Sequence, residues 1–355
     1  MNLILKYIKN QRGVALLLSI GISGLLLAVV LQANKDAIYA VEATAVTKER
    51  HALTYNSMSG IIIAKAILIK DIKDTAKAHD AVCENWANST YINQVLNALP
   101  SGEGKPTKLV ITDELSRVQL NALLTPPNEI NRAQEDLWDR IIRDYVEAAE
   151  YESEEINFTR HVIQCIEDWI DSNDDERLNG AEEDYYDSLD EPYKCKNNYF
   201  SDIYEMLKVK HIKKNLFYGL RIPDYVTVHG RDESNKKTTY KGLININTAP
   251  APVLRVLIKE GYEDEIQDFI EFRRERNDND DGCRHDLSKF NIYESEFGNL
   301  FEDKKILTTT SNIFRVVSTS QVGKTIKTIT AILERKKDEK TKKWTCEIIS
   351  WKDTS

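Results

Sequence analysis

No charged residue occurs between Arg12 and Lys35, a run of 22 positions. Its apolar part is Gly13 to Leu31, GVALLLSIGISGLLLAVVL. As a helix rising 1.5 Å per residue, the run spans a bilayer core of about 30 Å. Lys6, Lys9 and Arg12 precede it. Basic flanks stay cytoplasmic, so the N-terminus is expected in the cytoplasm and the remainder outside the membrane. Beyond the run, apolar residues recur at helical spacing: Ile38, Val41 and Ala45, then Ile61, Ile62, Ala66 and Ile69. Residues 33 to 81 contain no proline and one glycine, Gly60. One helix is therefore expected to leave the membrane and continue to about Ala81. Trp86 and Tyr91 mark a short amphipathic turn, 100–106 a loop, and 109–111 a strand. Residues 115–164 read as helical with a break at Pro126-Pro127. Residues 201–209 read as helix, and 222–228 and 238–246 as β-rich. Two close helices are expected at 249–258 and 264–274. Alternation with period two at 313–319, 325–334 and 343–351 predicts a terminal β meander.

These elements define an α+β chain: a long N-terminal helix, an antiparallel sheet and a large inserted helical domain. The expected segments are a leader (1–13), a membrane half-helix (14–34) and a periplasmic helix with the first strand (35–114). They continue with a helical insert (115–220), scaffold strands (221–246), a second helical piece (247–302) and the meander (303–355). The mean hydropathy of −0.46 rules out a polytopic membrane protein. The balance of 48 basic against 57 acidic residues gives a net charge of −9, which disfavours nucleic acid as a partner. The five cysteines form no close pairs and fit no dense disulfide framework. Cys165 and Cys195 flank an acidic stretch and could staple it. Cys346, on a strand, is expected to be a buried thiol.

The leader carries its own signal. A secretory signal peptide has a shorter apolar region and a small-residue cleavage site. Here the run is longer, and Gln32-Ala33-Asn34 is a poor match to that site. A basic leader ending in Gly13, followed by Val14 and an apolar helix, resembles the type III signal of prepilins. The resemblance implies cleavage after Gly13 by a prepilin peptidase and methylation of the new amine of Val14. Prepilins usually carry glutamate at the fifth mature position; here it is Leu18. An unpaired charge in lipid is costly, and in a filament that glutamate pairs with a neighbouring subunit. Leucine at this position suits a subunit with nothing above it.

Four stretches resemble the minor pseudopilin K family of the type II secretion system. They are RGVALLLSIGISGLLLAVV, ITDELSRVQLNALL, DWIDSNDDERLNGAEEDYYDSLDEPYKCKNNYFSDIYEMLKV and GLININTAPAPVLRVLI. Gln119 stands where that family usually has asparagine. The resemblance implies a pilin-like scaffold and a place at the tip of the pseudopilus. It implies minor pseudopilins I, J and H as partners, and contact with the secretin or with exported proteins. It also implies binding and assembly, not enzymatic catalysis.

Residues 167–191 hold twelve acids and one base, Arg177. Asp171, Asn173, Asp175 and Glu182 fall at positions 1, 3, 5 and 12 of an EF-hand-like oxygen cage. The glycine such a loop needs is replaced by Glu176, so a looser calcium loop is the expectation. The candidate ligands of a structural Ca2+ are Asp171, Asn173, Asp175, Glu182 and Glu183. Asp168, Asp184 and Asp187 are in reserve. The family resemblance adds to this reading, since its members bind calcium in this region. A second acidic cluster, Asp278, Asp280 and Asp281, reads as a polar loop.

Three motifs read as decoys. Residues 244–257 resemble the opening of a helix-hairpin-helix unit. Its hairpin, however, holds Glu260, Glu263 and Asp264, which would repel phosphate. Gly323-Lys324-Thr325 looks like the end of a phosphate loop but sits between strands, as a hairpin turn does. Cys283 and His285 have no second ligand pair nearby for zinc. The competing readings are a minor pilin of a type IV pilus or DNA-uptake machine, and an anchored DNA-binding module.

Overall fold

The computed structural model describes residues 11–74, 79–99, 106–126, 128–148, 157–232, 239–277 and 282–354. Lys6, Lys9 and the cluster Asp278, Asp280 and Asp281 lie outside them. The first element, α1 (Gln11–Asp74), is one helix of 64 residues. It is long and apolar enough to cross a membrane. From Gly13 to Val46 it is exposed on every side. From Leu53 onward one stripe is buried: Leu53, Ser57, Ile61, Ala64, Ile67 and Leu68. Steps of three and four residues place these on one face.

That face lies on a four-stranded antiparallel sheet in the order β1 (Lys108–Asp113), β2 (Ile313–Val322), β3 (Thr325–Lys337), β4 (Trp344–Thr354). The helix α2 (Ser89–Ala98) packs beside it, its start capped by Asn88. Ile61, Ala64, Leu68, Trp86, Leu109, Phe314, Val316, Ala331 and Leu333 share this core. At Gly60 an added Cβ would stand 2.1 Å from the Ser318 hydroxyl, so glycine admits β2 to the helix. Gly323, at φ +57°, turns β2 into β3 with Val322 opposite Thr325, the hairpin the sequence predicts.

The direction of the strands locates the insert. Ser57 reaches the Lys327 carbonyl, and Arg335 reaches the Leu68 carbonyl. So β3 runs alongside α1, away from the apolar end. Asp113 pairs with Phe314, and Ile313 with Glu334. Residues 114–312 therefore leave and rejoin the sheet at its end farthest from the anchor.

The insert has its own core. Its helices are α3 (Arg132–Ala148), α4 (Phe158–Ile170), α5 (Glu183–Asp187), α6 (Lys214–Gly219), α7 (Ala251–Leu257), α8 (Glu265–Phe272) and α9 (Asn291–Phe297). Leu137, Trp138, Ile166, Trp169, Phe217, Leu254, Leu257 and Phe269 belong to one cluster, so both helical pieces share a core.

Three expectations change. Residues 114–116 and 120–123 are short 3₁₀ turns, with a two-residue strand at Val118–Gln119 between them, rather than helix. Buried polar side chains there bind backbone from distant segments. Asn121 donates to the carbonyls of Phe200 and Val228, and Gln119 to that of Leu243. Residues 222–225 form a helical turn, because Pro223 favours the first turn of a helix. Cys165 and Cys195 do not staple the acidic loop: both are buried thiols. The disulfide joins Cys83 to Cys283, 200 positions apart. It ties the turn after α1 to the second helical piece.

Candidate metal centre

The acidic loop starts from the end of α4. Glu167, Asp168 and Asp171 fall in its last turn, and Asp171 is its C-cap. All three are buried. Negative charge at a helix C-terminus opposes the helix dipole. Only a cation makes the arrangement tenable, and Arg177 is one. Its Nε lies 3.0 Å from Glu167 Oε2. Its Nη1 donates to Asp168 Oδ1 and Asp171 Oδ2, both at 2.5 Å.

The backbone completes the cradle. Asp168 Oδ2 accepts from the amides of Arg177 (3.2 Å) and Ala181 (2.9 Å). Gly180 sits so close that a Cβ there would be 1.7 Å from Asp168 Oδ2. This is the physical reason for the Gly180-Ala181-Glu182 motif: glycine lets the loop fold over the carboxylate. Glu182 then points into the cluster.

Glu182 is the residue left over. It is 4% exposed, and neither carboxylate oxygen accepts from an N–H or O–H group. Only the Cys195 thiol, a weak donor, reaches it. Burial, with Asp168, Asp171 and Asp174 nearby, pushes its carboxyl up to about 8. Burial raises Glu167 to about 7, against the pull of Arg177. One oxygen from each of Asp168, Asp171 and Glu182 lies within 4.8 Å of the others. Four acids thus face one arginine, and the orphaned carboxylate belongs to the trio able to share an ion.

Of the expected ligands, the structure brings together Asp171 and Glu182. Asp168 joins them from the reserve. Asn173 and Asp175 do not converge. Asn173 Oδ1 accepts the Asp175 amide at 2.7 Å, and Asp175 is exposed. Asp171 Oδ1 likewise accepts the Asn173 amide. These local turns take the side-chain oxygens that a regular cage would aim inward. Glu183 faces away, accepting from the Cys195 amide and pairing with Lys194. Asp184 and Asp187 are exposed on α5. Glu167 and Arg177 were not among the expected ligands. The helical spacing of Glu167, Asp168 and Asp171 was the available signal.

A second acidic group lies on the scaffold: Asp71, Asp80 and Glu84. Arg335 lies between Asp80 (2.5 Å) and Asp71 (3.3 Å).

The decoys resolve. In the hairpin between α7 and α8, the Gly261 amide donates to Glu263 Oε1, so a carboxylate of the chain holds the group a phosphate would need. Cys283 is in the disulfide, and His285 stacks on Phe272 at 4.0 Å. Gly13 and Val14 lie in the exposed, helical start of α1.

Comparison with known proteins agrees with this architecture. Residues 116–230 match the family model of type II secretion system protein K, first domain. No curated protein matches the sequence. A chain of the crystal structure of the GspK-GspI-GspJ complex from the enterotoxigenic Escherichia coli type 2 secretion system has a similar fold. The TM-score is 0.57 at 16% identity, covering 88% of this chain and 99% of that one. The resemblance read from the sequence therefore agrees with both comparisons: residues 116–230 are similar to the first domain of type II secretion system protein K, and the chain as a whole shares the fold of a chain of the GspK-GspI-GspJ complex.

Proposed function

We propose that the protein is the minor pseudopilin that caps the type II secretion pseudopilus and nucleates its assembly. One observation carries this reading. The bulky insert grows from the end of the sheet farthest from the anchor. A subunit with about 200 residues there, 114–312, obstructs the addition of another subunit above it. Leu18, where prepilins carry the docking glutamate, supports the same position. In this reading α1 is a single-pass anchor with a cytoplasmic N-terminus and a periplasmic body. A prepilin peptidase cuts between Gly13 and Val14, and the new amine is methylated. Minor pseudopilins I, J and H stand beneath it, and the insert meets the secretin or exported proteins. The role is binding, without catalysis.

The test is intact mass and N-terminal sequencing of the protein from its own membranes, with co-purification of pseudopilins I and J. The expected chain starts at Val14, methylated, and brings both partners. A chain starting at Met1 or near Asn34, without partners, would remove the reading.

The acidic loop is proposed as a structural calcium site held by Asp168, Asp171 and Glu182. The residues fit because the three oxygens converge and Glu182 has no N–H or O–H donor of its own, only the weak thiol of Cys195. Calcium accepts such flexible all-oxygen sets. A bound ion would supply the positive charge that Arg177 alone does not.

A further inference from the structure

We propose that Arg177 is a built-in competitor for the cation of the acidic loop, holding Asp168 and Asp171 until a divalent ion displaces it. This rests on the calcium reading of the loop. The guanidinium occupies the charges an ion would need: Nη1 sits on Asp168 Oδ1 and Asp171 Oδ2 together. Its remaining contact is with Glu167. A planar fork reaching these three cannot also satisfy Glu182 from the same position. The arginine therefore leaves one ligand of the trio unserved, and a divalent ion could serve all three. An ion there and the guanidinium would repel at close range in a poorly hydrated site. They exclude each other.

The loop is built to let the arginine go. Asp168 Oδ2 is held by the backbone amides of Arg177 and Ala181, not by the guanidinium. The cradle therefore survives when the side chain swings out. Arg177 lies at the edge of the cluster, its side chain 17% exposed. Asp174, Asp175 and Glu176 are exposed on the same loop and can receive it. The consequence is a loop that stays folded with little calcium and binds it more weakly than its carboxylates alone would.

The experiment is calorimetric titration of calcium chloride into the full chain in detergent, after chelator treatment. It compares the parent with Arg177→Gln and Arg177→Lys, and uses Asp168→Asn as the site-disrupted control. Near-ultraviolet circular dichroism in the presence of calcium checks folding. Arg177→Gln is expected to bind at least tenfold more tightly than the parent. It should also lose more melting temperature in chelator and regain it with calcium. Arg177→Lys, which keeps the charge but not the fork, should fall between; it carries the test if the glutamine variant does not fold. Binding only by Arg177→Gln would support the proposal most strongly. Equal or weaker binding by Arg177→Gln would overturn the competitor role and leave the calcium reading standing. Binding by none of the four would overturn both.

Discussion

The scaffold and the acidic loop each bury a group of carboxylates around one arginine, and the two groups differ in how far their acids are paired. On the scaffold every acid meets a donor. Asp80 takes Arg335 on one oxygen and the Ser311 amide on the other. Glu84 Oε2 accepts from the Ala81 amide and from Trp86 Nε1. Asp71 meets Arg335 as well, and the guanidinium lies over the Phe314 ring. In the loop, Arg177 serves three acids, and Glu182 is left with only the weak thiol donor of Cys195. A buried carboxylate that is paired fastens a fold; one that is unpaired asks for a ligand. The difference is one residue, and no count of acids along the sequence shows it.

The largest expected effect comes from the scaffold's covalent tie. Cys83 lies between Asp80 and Glu84 and is bonded to Cys283. Closing so long a loop constrains the unfolded chain by roughly 5 kcal/mol in the chain-entropy account. Replacing both cysteines by serine should lower the melting temperature more than any single substitution in either cluster, while calcium titration of the loop stays normal. An unchanged melting curve would show that the bond does not hold the scaffold.

Next is the arginine exchange. Arg335→Met strands Asp80 in the core and should cost about 3–5 kcal/mol. Denaturant unfolding should give the same loss with calcium and with chelator. Arg177→Gln should be destabilising in chelator only. If both variants respond alike to calcium, the two clusters do not differ as described.

Two glycines give a smaller pair of effects. Gly180→Ala drives a methyl into the Asp168 carboxylate, and Gly60→Ala drives one into Ser318. Overpacking of this kind costs about 1–3 kcal/mol. Thermal melting should show both losses. Only Gly180→Ala should also erase stabilisation by calcium, because only it moves a proposed ligand.

Much of the scaffold was legible because its signals are local. The uncharged run gives the anchor, period-two alternation gives β2 to β4, and Gly323 marks their first turn. The loop was legible as acidic but not as a site. The EF-hand template assumes that alternate side chains turn inward. Asn173 instead binds the amide of Asp175, and the helix end supplies Asp168. Glu167 and Arg177 matter through tertiary approach, which spacing in a loop does not reveal. The pairing of Cys83 with Cys283 was hidden by 200 intervening positions. The buried polar side chains of 114–121 were hidden for a like reason: Asn121 fastens Phe200 and Val228, far along the chain.

The smallest effect probes whether Glu84 is held as a neutral acid. Burial, with Asp71 and Asp80 close by, raises its carboxyl to about 8. Arg335 and His79 are the cationic or ionisable groups facing this corner. A raised pKa means that the folded state keeps a proton the unfolded chain has lost. Stability should therefore fall as pH climbs from the ordinary glutamate range toward 8, by at most about 1.4 kcal/mol per pH unit, and level off above it. Glu84→Gln removes this titration while keeping an acceptor for Ala81 and Trp86. Urea unfolding at pH 5 should find parent and variant nearly equal. The gap should then open in the variant's favour through neutral pH and stop widening above about 8. A gap independent of pH would mean that Glu84 is ionised in the fold, with Arg335 neutralising the whole corner. The scaffold would then share the loop's dependence on a single arginine, and the contrast between the two clusters would rest on Glu182 alone.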